Sequence, residues 1–379
     1  MRVMVAMSGG VDSSVAAALL AEQGHDVVGV TLKLWGGASD SGCCSVADTE
    51  DARRVTEQLG LDHHTFDLVS DFEATVVGPY VEAHTEGRTP NPCVECNRHI
   101  KFGRLLKRAR RLGFDALATG HYARIDRVFD AGWPRTQEVD GGLANCGAGD
   151  GIARSQAPNG TRGARWRLRR GVDKAKDQSY VLSMLTQAEL GRVVLPVGGM
   201  TKEQVRARAL DLGLRTADKP DSQEVCFIHS QSGRGNFLAV RMHLHPGVVV
   251  DPTGKRLGDV PAVELVTVGQ RKGMRLGGAP ERRYAVSVDV PRRRVVAGGT
   301  GDLLTEQVRI GTPTWVTRPL SVGERALVQT SAHGRVFEAT YCGDHLVADS
   351  PERRVAPGQT VALYDSSDPD TVLGSALCV

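Results

Sequence analysis

The chain has 379 residues, 41% of them apolar and 24% charged, enough for two or three compact domains with buried cores. Its 47 Lys and Arg against 44 Asp and Glu leave a formal net charge of +3, too even a balance to argue for a nucleic-acid partner without local clustering. No apolar stretch approaches the roughly 20 residues that span a bilayer, and the Met1–Met7 run is too short for a secretory leader. A cytoplasmic protein with no membrane partner is expected.

Taken in chain order, Arg2–Met7 reads as a buried strand, Ser13–Gln23 as a helix and Asp26–Leu32 as a second strand. A helix near Val46–Leu59, a third strand at His63–Leu68 and a short strand at Asp115–Thr119 follow. Strands alternating with helices predict βαβ units and a parallel sheet, with ligands beyond the carboxyl ends of the strands, where Ser8 and Gly120 fall. Residues 126–165 are Gly-rich and aperiodic and read as a surface insertion, Cys146 included. Helical patterning returns over Asp177–Leu190 and Lys202–Leu212. From Gly247 the chain turns β-rich: a hairpin through Val248–Val250 and Asp251–Gly254, a strand-like Ala262–Val268, then Tyr284–Val290 and Arg294–Ala297. Alternation over Arg325–Thr330, Val336–Tyr341 and Thr360–Tyr364 predicts a small antiparallel barrel.

Ser8-Gly9-Gly10-Val11-Asp12-Ser13-Ser14 follows a strand and opens a helix. Two glycines let backbone approach a phosphate, amides at a helix start carry partial positive charge, and Ser8, Ser13 and Ser14 can add hydroxyl donors. Asp12 can hold magnesium. The Gly-Lys-[Ser/Thr] ending of the Walker-type loop is missing, so this is the pyrophosphatase-type loop of enzymes that cleave ATP to AMP and pyrophosphate.

Eight cysteines, Cys43, Cys44, Cys93, Cys96, Cys146, Cys226, Cys342 and Cys378, in a large and apparently cytosolic chain point to catalysis, redox chemistry or metal rather than a disulfide framework. Cys93 and Cys96 lie in the doubly proline-braced Arg88–Asn97, and Cys226 lies in Asp221–Ile228. With Ser8–Ser14, Ala118–Tyr122, Lys176–Tyr180 and Gly269–Gly273, these six motifs resemble, in order and over nearly the whole chain outside the insertion, the tRNA-specific 2-thiouridylase family.

That resemblance implies an α/β fold in three parts. A parallel-sheet ATP pyrophosphatase-like domain would span 1–225, a small β-rich central domain 226–300, and a C-terminal antiparallel β-barrel that binds tRNA 301–379. It implies that Ala6, Met7, Ser8, Gly9, Gly10, Val11, Asp12 and Ser13 hold ATP together with Gly120 and Leu32, the last where the family most often has Met. It makes Cys96 the nucleophile and Cys226 the persulfide carrier, able to join as a disulfide. Asn91, Pro92 and Cys93 would meet the target base, and His121, Lys176, Asp177, Gln178 and Gln359 would contact tRNA. The expected reaction is ATP-dependent thiolation of C2 of the wobble uridine. Adenylation turns the C2 oxygen into a leaving group, and sulfur arrives from a donor protein through the Cys226 persulfide. Cofactors are ATP and magnesium.

Family members carry Asp or Cys at position 93. With Cys93 present, Cys93, Cys96 and Cys226 can alternatively ligate an iron–sulfur cluster; a zinc version lacks its second C-x-x-C. Seven Lys or Arg and no acid lie between Asn97 and Phe114, with Arg104, Lys107, Arg108 and Arg111 on one helical face, and a second basic run covers Arg162–Lys176. Starting just after Cys96, the first run suits phosphates guiding a base to the thiol. Two rivals stand beside this reading. An amidotransferase-type synthetase shares the ATP loop but not the cysteine motifs, and a metal-stabilised, non-catalytic RNA-binding protein has no use for Ser8–Ser14.

Overall fold

The structure, a computed structural model, describes residues 1–35, 46–128, 165–221, 225–228, 233–276 and 282–379. Cys43, Cys44, Cys146 and most of the expected insertion lie outside these residues. Among the described residues no helix is long and apolar enough to cross a membrane.

Five strands make the first sheet: β1 (Arg2–Ala6), β2 (Asp26–Lys33), β3 (Asp62–Asp67), β4 (Ala116–Thr119) and, beyond a hairpin described below, Val193–Val194. Their order is β3-β2-β1-β4 and then Val193–Val194, every pairing parallel. β1 and β4 are apolar runs with the interior positions of β1 fully buried, as strands covered on both faces must be. Helices α1 (Val11–Glu22) and α2 (Val46–Gln58) pack against it. The chain winds outward from β1 through β2 to β3 and then returns to the other side of β1 for β4. The switch point of the sheet therefore lies at the carboxyl ends of β1 and β4, where a ligand crevice belongs.

The expected insertion is narrower at its edges. β5 (Ala123–Val128) pairs antiparallel with β6 (Arg165–Arg170), so residues 126–128 and 165 belong to a ladder. The basic run that continues through β6 is largely neutralised: Arg167 and Arg169 face Asp126 and Asp368, Arg170 meets Asp177, and Arg124 meets Asp370. The single helix expected over Asp177–Leu190 is two single turns, Ser179–Leu182 and Gln187–Leu190. Ser183 ends the first and Thr186 starts the second, its hydroxyl and amide sharing a capping box with Glu189.

The central unit is a five-stranded sheet ordered Arg275–Leu276, Arg256–Val260, Gly247–Val250, Arg294–Gly298, Tyr284–Asp289. Ala262–Val268, expected as a strand, is a short 3₁₀ turn at Val263–Leu265 in which the buried Glu264 carboxylate accepts from the amide and ring of His245. The last unit is a seven-stranded antiparallel sheet from Leu304 to Leu377. A bridge between Ile310 and Cys378 joins the end of strand Leu304–Arg309 to the end of strand Val372–Leu377 and curls the sheet toward a barrel around Val328, Leu346, Val361 and Leu363. The architecture is thus α/β, a parallel sheet followed by two β units.

Candidate active site

The phosphate loop fills the switch point. Gly9 has φ +69°, and a Cβ there would stand 2.2 Å from the Asp48 carbonyl oxygen, so only glycine lets the loop lie on the first turn of α2. Gly10 precedes α1 in extended conformation, and no side chain caps the helix. Ser13 and Ser14 both return their hydroxyls to the Gly10 carbonyl, 3.1 and 2.9 Å, and the Ser8 amide donates to the Ser13 hydroxyl at 3.2 Å. Gly120, at the end of β4, closes the other side: a Cβ there would be 2.7 Å from the Asp12 carbonyl carbon and the Ser13 nitrogen. Ala6, Met7 and Val11 lie in this turn, and Leu32 is buried on β2 opposite Phe66.

Two lysines that sequence reasoning passed over complete the loop. Lys202, nearly buried, donates to both carboxylate oxygens of Asp12 at 2.7 and 2.9 Å and also meets Asp221 at 2.7 Å. The Tyr122 hydroxyl donates to Asp12 as well, at 2.6 Å; burial first and then this bond push the phenol far above its ordinary range. Lys219 reaches the Gly9 carbonyl (3.0 Å) and the carboxylates of Asp48 (2.6 Å) and Asp51 (2.8 Å). Burial lowers its pKa, but the two acids outweigh that and leave it raised. With donors already on both oxygens, Asp12 suits an ammonium better than the magnesium expected of it. The one signal in the sequence was a lysine at each end of the stretch between Thr201 and Asp221, which reads equally well as solvated charge.

Residues 219–221 lie beside the loop, and 225–228 lie beside the cysteines. Asp221 accepts from Lys176 at 2.7 Å and from Arg206 at 3.1 Å in addition to Lys202. Burial would raise its carboxyl, yet Lys176 and Lys202 outweigh burial and hold it at about 2. Six positions after Asp221, Phe227 is pinned by aromatic neighbours: its ring lies 5.1–6.5 Å from those of Phe237, Phe72, Tyr80 and Trp35. Trp35 follows β2, so Cys226 is held on the carboxyl-end side of the parallel sheet, partly exposed at the rim of the large apolar core.

Cys96 belongs to that same core. The Asn91 side chain accepts from the Cys93 amide at 3.0 Å and caps the turn Pro92–Glu95, with Pro92 at the position where a proline loses no hydrogen bond. Cys96 then opens Cys96–Leu105, wound with i→i+5 hydrogen bonds, and is buried, whereas Cys93 is exposed. A cleft of about 480 Å³ brings the two segments together: Asn91 and Pro92 line it beside Val225 and Ile228, which flank Cys226, with Tyr80, Arg234 and Gln359 completing the walls. Among the described residues no three His, Cys, Asp or Glu side chains are grouped to hold a metal, and Cys93, Cys96 and Cys226 as placed are no exception.

The remaining expected contacts divide. Lys107, Arg110 and Arg111 are exposed after Cys96, but Arg104 pairs with Asp71 at 2.9 Å and Arg108 stacks 3.7 Å over Phe66. Leu112, beside them in sequence, is exposed as well. Lys176 lies on Asp221, and Asp177 is buried, accepting from Arg170, the Gly171 amide and Ser179. Gln178 exchanges hydrogen bonds with the Tyr122 backbone. His121 is buried on Thr119 (2.7 Å) beside Phe102, and burial, then the Lys101 charge, keeps it neutral. Gln359 donates from its amide to the Thr89 carbonyl.

Comparison with known proteins gives consecutive matches along the chain. Residues 1–230 match a family described as tRNA methyl transferase HUP domain, 235–298 its PRC-barrel domain, and 339–378 an aminomethyltransferase β-barrel domain. Full-length relatives carry a different reaction in their names. A tRNA-specific 2-thiouridylase of Thermobifida fusca is 39% identical over 99% of this chain and 95% of its own length. Its counterparts in Roseiflexus castenholzii and Mycolicibacterium paratuberculosis are 41% and 42% identical, over 97% and 99% of this chain and 96% and 98% of theirs.

Proposed function

Because the chain belongs to the tRNA-specific 2-thiouridylase family, we propose that it thiolates a tRNA uridine at C2 in an ATP-dependent reaction. The observation that carries this reading is the cleft shared by the residues before Cys93 and those around Cys226, joined to the phosphate loop through Asp221, Lys202 and Asp12. A methyl transferase would not require two remote cysteine motifs converging on one cleft, and a synthetase that shares the ATP loop has no place for them.

In this reading Ala6 to Ser13, Leu32 and Gly120 bind ATP. The uncapped start of α1 faces the phosphates, and the lysines at 202 and 219 fix the loop around them. The uracil C2 oxygen attacks the α-phosphorus, pyrophosphate leaves, and the C2–O bond gains AMP as its leaving group. The Cys96 thiolate then attacks the inner sulfur of the Cys226 persulfide. Hydrosulfide is released, carrying the electron pair of the S–S bond, and a Cys96–Cys226 disulfide forms. Hydrosulfide adds to C2 and AMP departs with its oxygen. A thiol reductant resets the disulfide, and a donor protein reloads Cys226. Asn91, Pro92 and Cys93 seat the extruded base, while His121, Lys176, Asp177, Gln178 and Gln359 support the tRNA-binding surface. An unstacked anticodon base suits a cleft that no duplex can enter. Neither magnesium nor an iron–sulfur cluster enters these steps.

The test is to incubate the protein with ATP, tRNA and a persulfide donor. Pyrophosphate and 2-thiouridine should appear in equal amounts, from iron-free protein and from Cys93→Ser. Formation of ADP, tRNA methylation, or thiolation strictly dependent on bound iron would refute the scheme.

A further inference from the structure

The cleft contains a cation that this chemistry has not used. Among the described side chains lining it, Arg234 is the one with a full charge. Its guanidinium donates to the Leu265 carbonyl at 2.8 Å and approaches the Thr267 hydroxyl at 3.4 Å, both neutral acceptors, and no carboxylate among the described residues pairs with it. Three arginines held inside the structure are, by contrast, neutralised: Arg318 by Glu324 and Asp365, Arg169 by Asp126 and Asp368, Arg170 by Asp177. Arg234 is instead oriented by neutral acceptors among the described residues and is partly exposed. A planar fork fixed on one edge and open on the other matches the geometry of a phosphate.

We propose that Arg234 is a tRNA-binding residue whose guanidinium holds a backbone phosphate beside the uridine in the cleft. The inference rests on the thiolation reading, because it takes the entering group to be one nucleotide of a polyanion. A base that reaches between Asn91 and Val225 brings its flanking phosphates to the cleft mouth, and the seated guanidinium meets one of them there. Position, not charge alone, is what the surface lysines and arginines after Cys96 cannot supply.

The experiment measures tRNA affinity without ATP across a salt series for the wild type, R234Q and R234K, with thermal unfolding as a check on folding. Losing one phosphate contact should weaken R234Q about tenfold at low salt and make its log–log salt slope shallower by about 0.7 to 1. R234K, a point charge at the same place, should recover the slope and part of the affinity, and the KM for tRNA should rise in R234Q with kcat nearly unchanged. If R234Q is unfolded, R234A must show the same shallower slope. A variant slope equal to the wild type's overturns the assignment however much affinity falls, because a merely structural arginine leaves no charge signature. Wild-type protein that neither binds nor thiolates tRNA would refute the underlying function itself.

Discussion

Gly120 has no side chain, and that absence sets the width of the nucleotide site. A methyl group there has no free volume, since backbone of the phosphate loop stands 2.7 Å from where it would be. Gly120→Ala should lose about 1–3 kcal/mol of stability from overpacking. Its ATP affinity should fall as Asp12 and Ser13 are displaced; calorimetric ATP binding equal to the wild type's would contradict this account. The glycines and serines of the loop were legible in the sequence because their function is local: strand, turn and helix start are consecutive. Lys202 and Lys219 were not legible, because nothing near them in sequence reveals that they end on Asp12 and on the Gly9 carbonyl. The burial of His121 and Asp177 was likewise hidden, since a polar residue in a motif reads as available until the partners that occupy it are known.

At the scale of elements, Lys219 is tied to the phosphate loop by a hydrogen bond and Asp221 by ion pairs through Lys202, while Val225 and Ile228 line the cleft. Those ion pairs make a pH prediction. Asp221 is held at about 2, below the value of about 3.9 for an unfolded aspartate, so its contribution is present above pH 4 and disappears as the pH falls through about 2. That contribution is on the order of 2 kcal/mol at neutral pH, and urea titrations should show wild type and Asp221→Asn converging between pH 4 and 2. A constant gap across that range would mean the ion pairs do not shift Asp221. Lys202→Met takes from Asp12 its cation, while Asp221 keeps Lys176 and Arg206, and should destabilise the fold by about 3 kcal/mol, read by the same titrations. The parallel strands were legible because continuous apolar runs punctuated by glycine admit few other readings. The helix over Asp177–Leu190 was misjudged because its apolar periodicity continues through Thr186, where a capping box restarts the helix. The Val263–Leu265 turn was misjudged because an apolar run does not show that Glu264 is drawn inward by His245.

Across the whole molecule, the barrel is docked on the segment that precedes the cysteines. The Thr89 amide donates to Pro357, the Gln359 amide to Thr89, and Gly358, at φ +85°, brings its backbone against Arg88 and Thr89. The Tyr180 hydroxyl donates to the Thr360 carbonyl at 2.8 Å and Ser375 to Ser183 at 2.9 Å, so the docking continues inward from the cleft. Gln359→Leu should therefore slow thiolation several-fold by loosening Asn91 and Pro92 while ATP affinity stays unchanged; parallel loss of ATP binding would place its effect elsewhere. The change from a parallel α/β sheet to β units could be inferred from the shift to β-rich sequence after Gly247. The contact that makes one cleft of residues 91 and 359 could not, because docking surfaces of separate units share no periodicity.

The account depends on nucleotide activation and sulfur delivery being separate steps on one base. Cys226→Ala, assayed with tRNA, ATP and a sulfur donor, tests this most directly by following pyrophosphate and 2-thiouridine in the same tube. Pyrophosphate release should persist while thiolated product is absent. Thiolation at the wild-type rate would contradict the role of Cys226 and, with it, the joining of the two cysteine segments into one site.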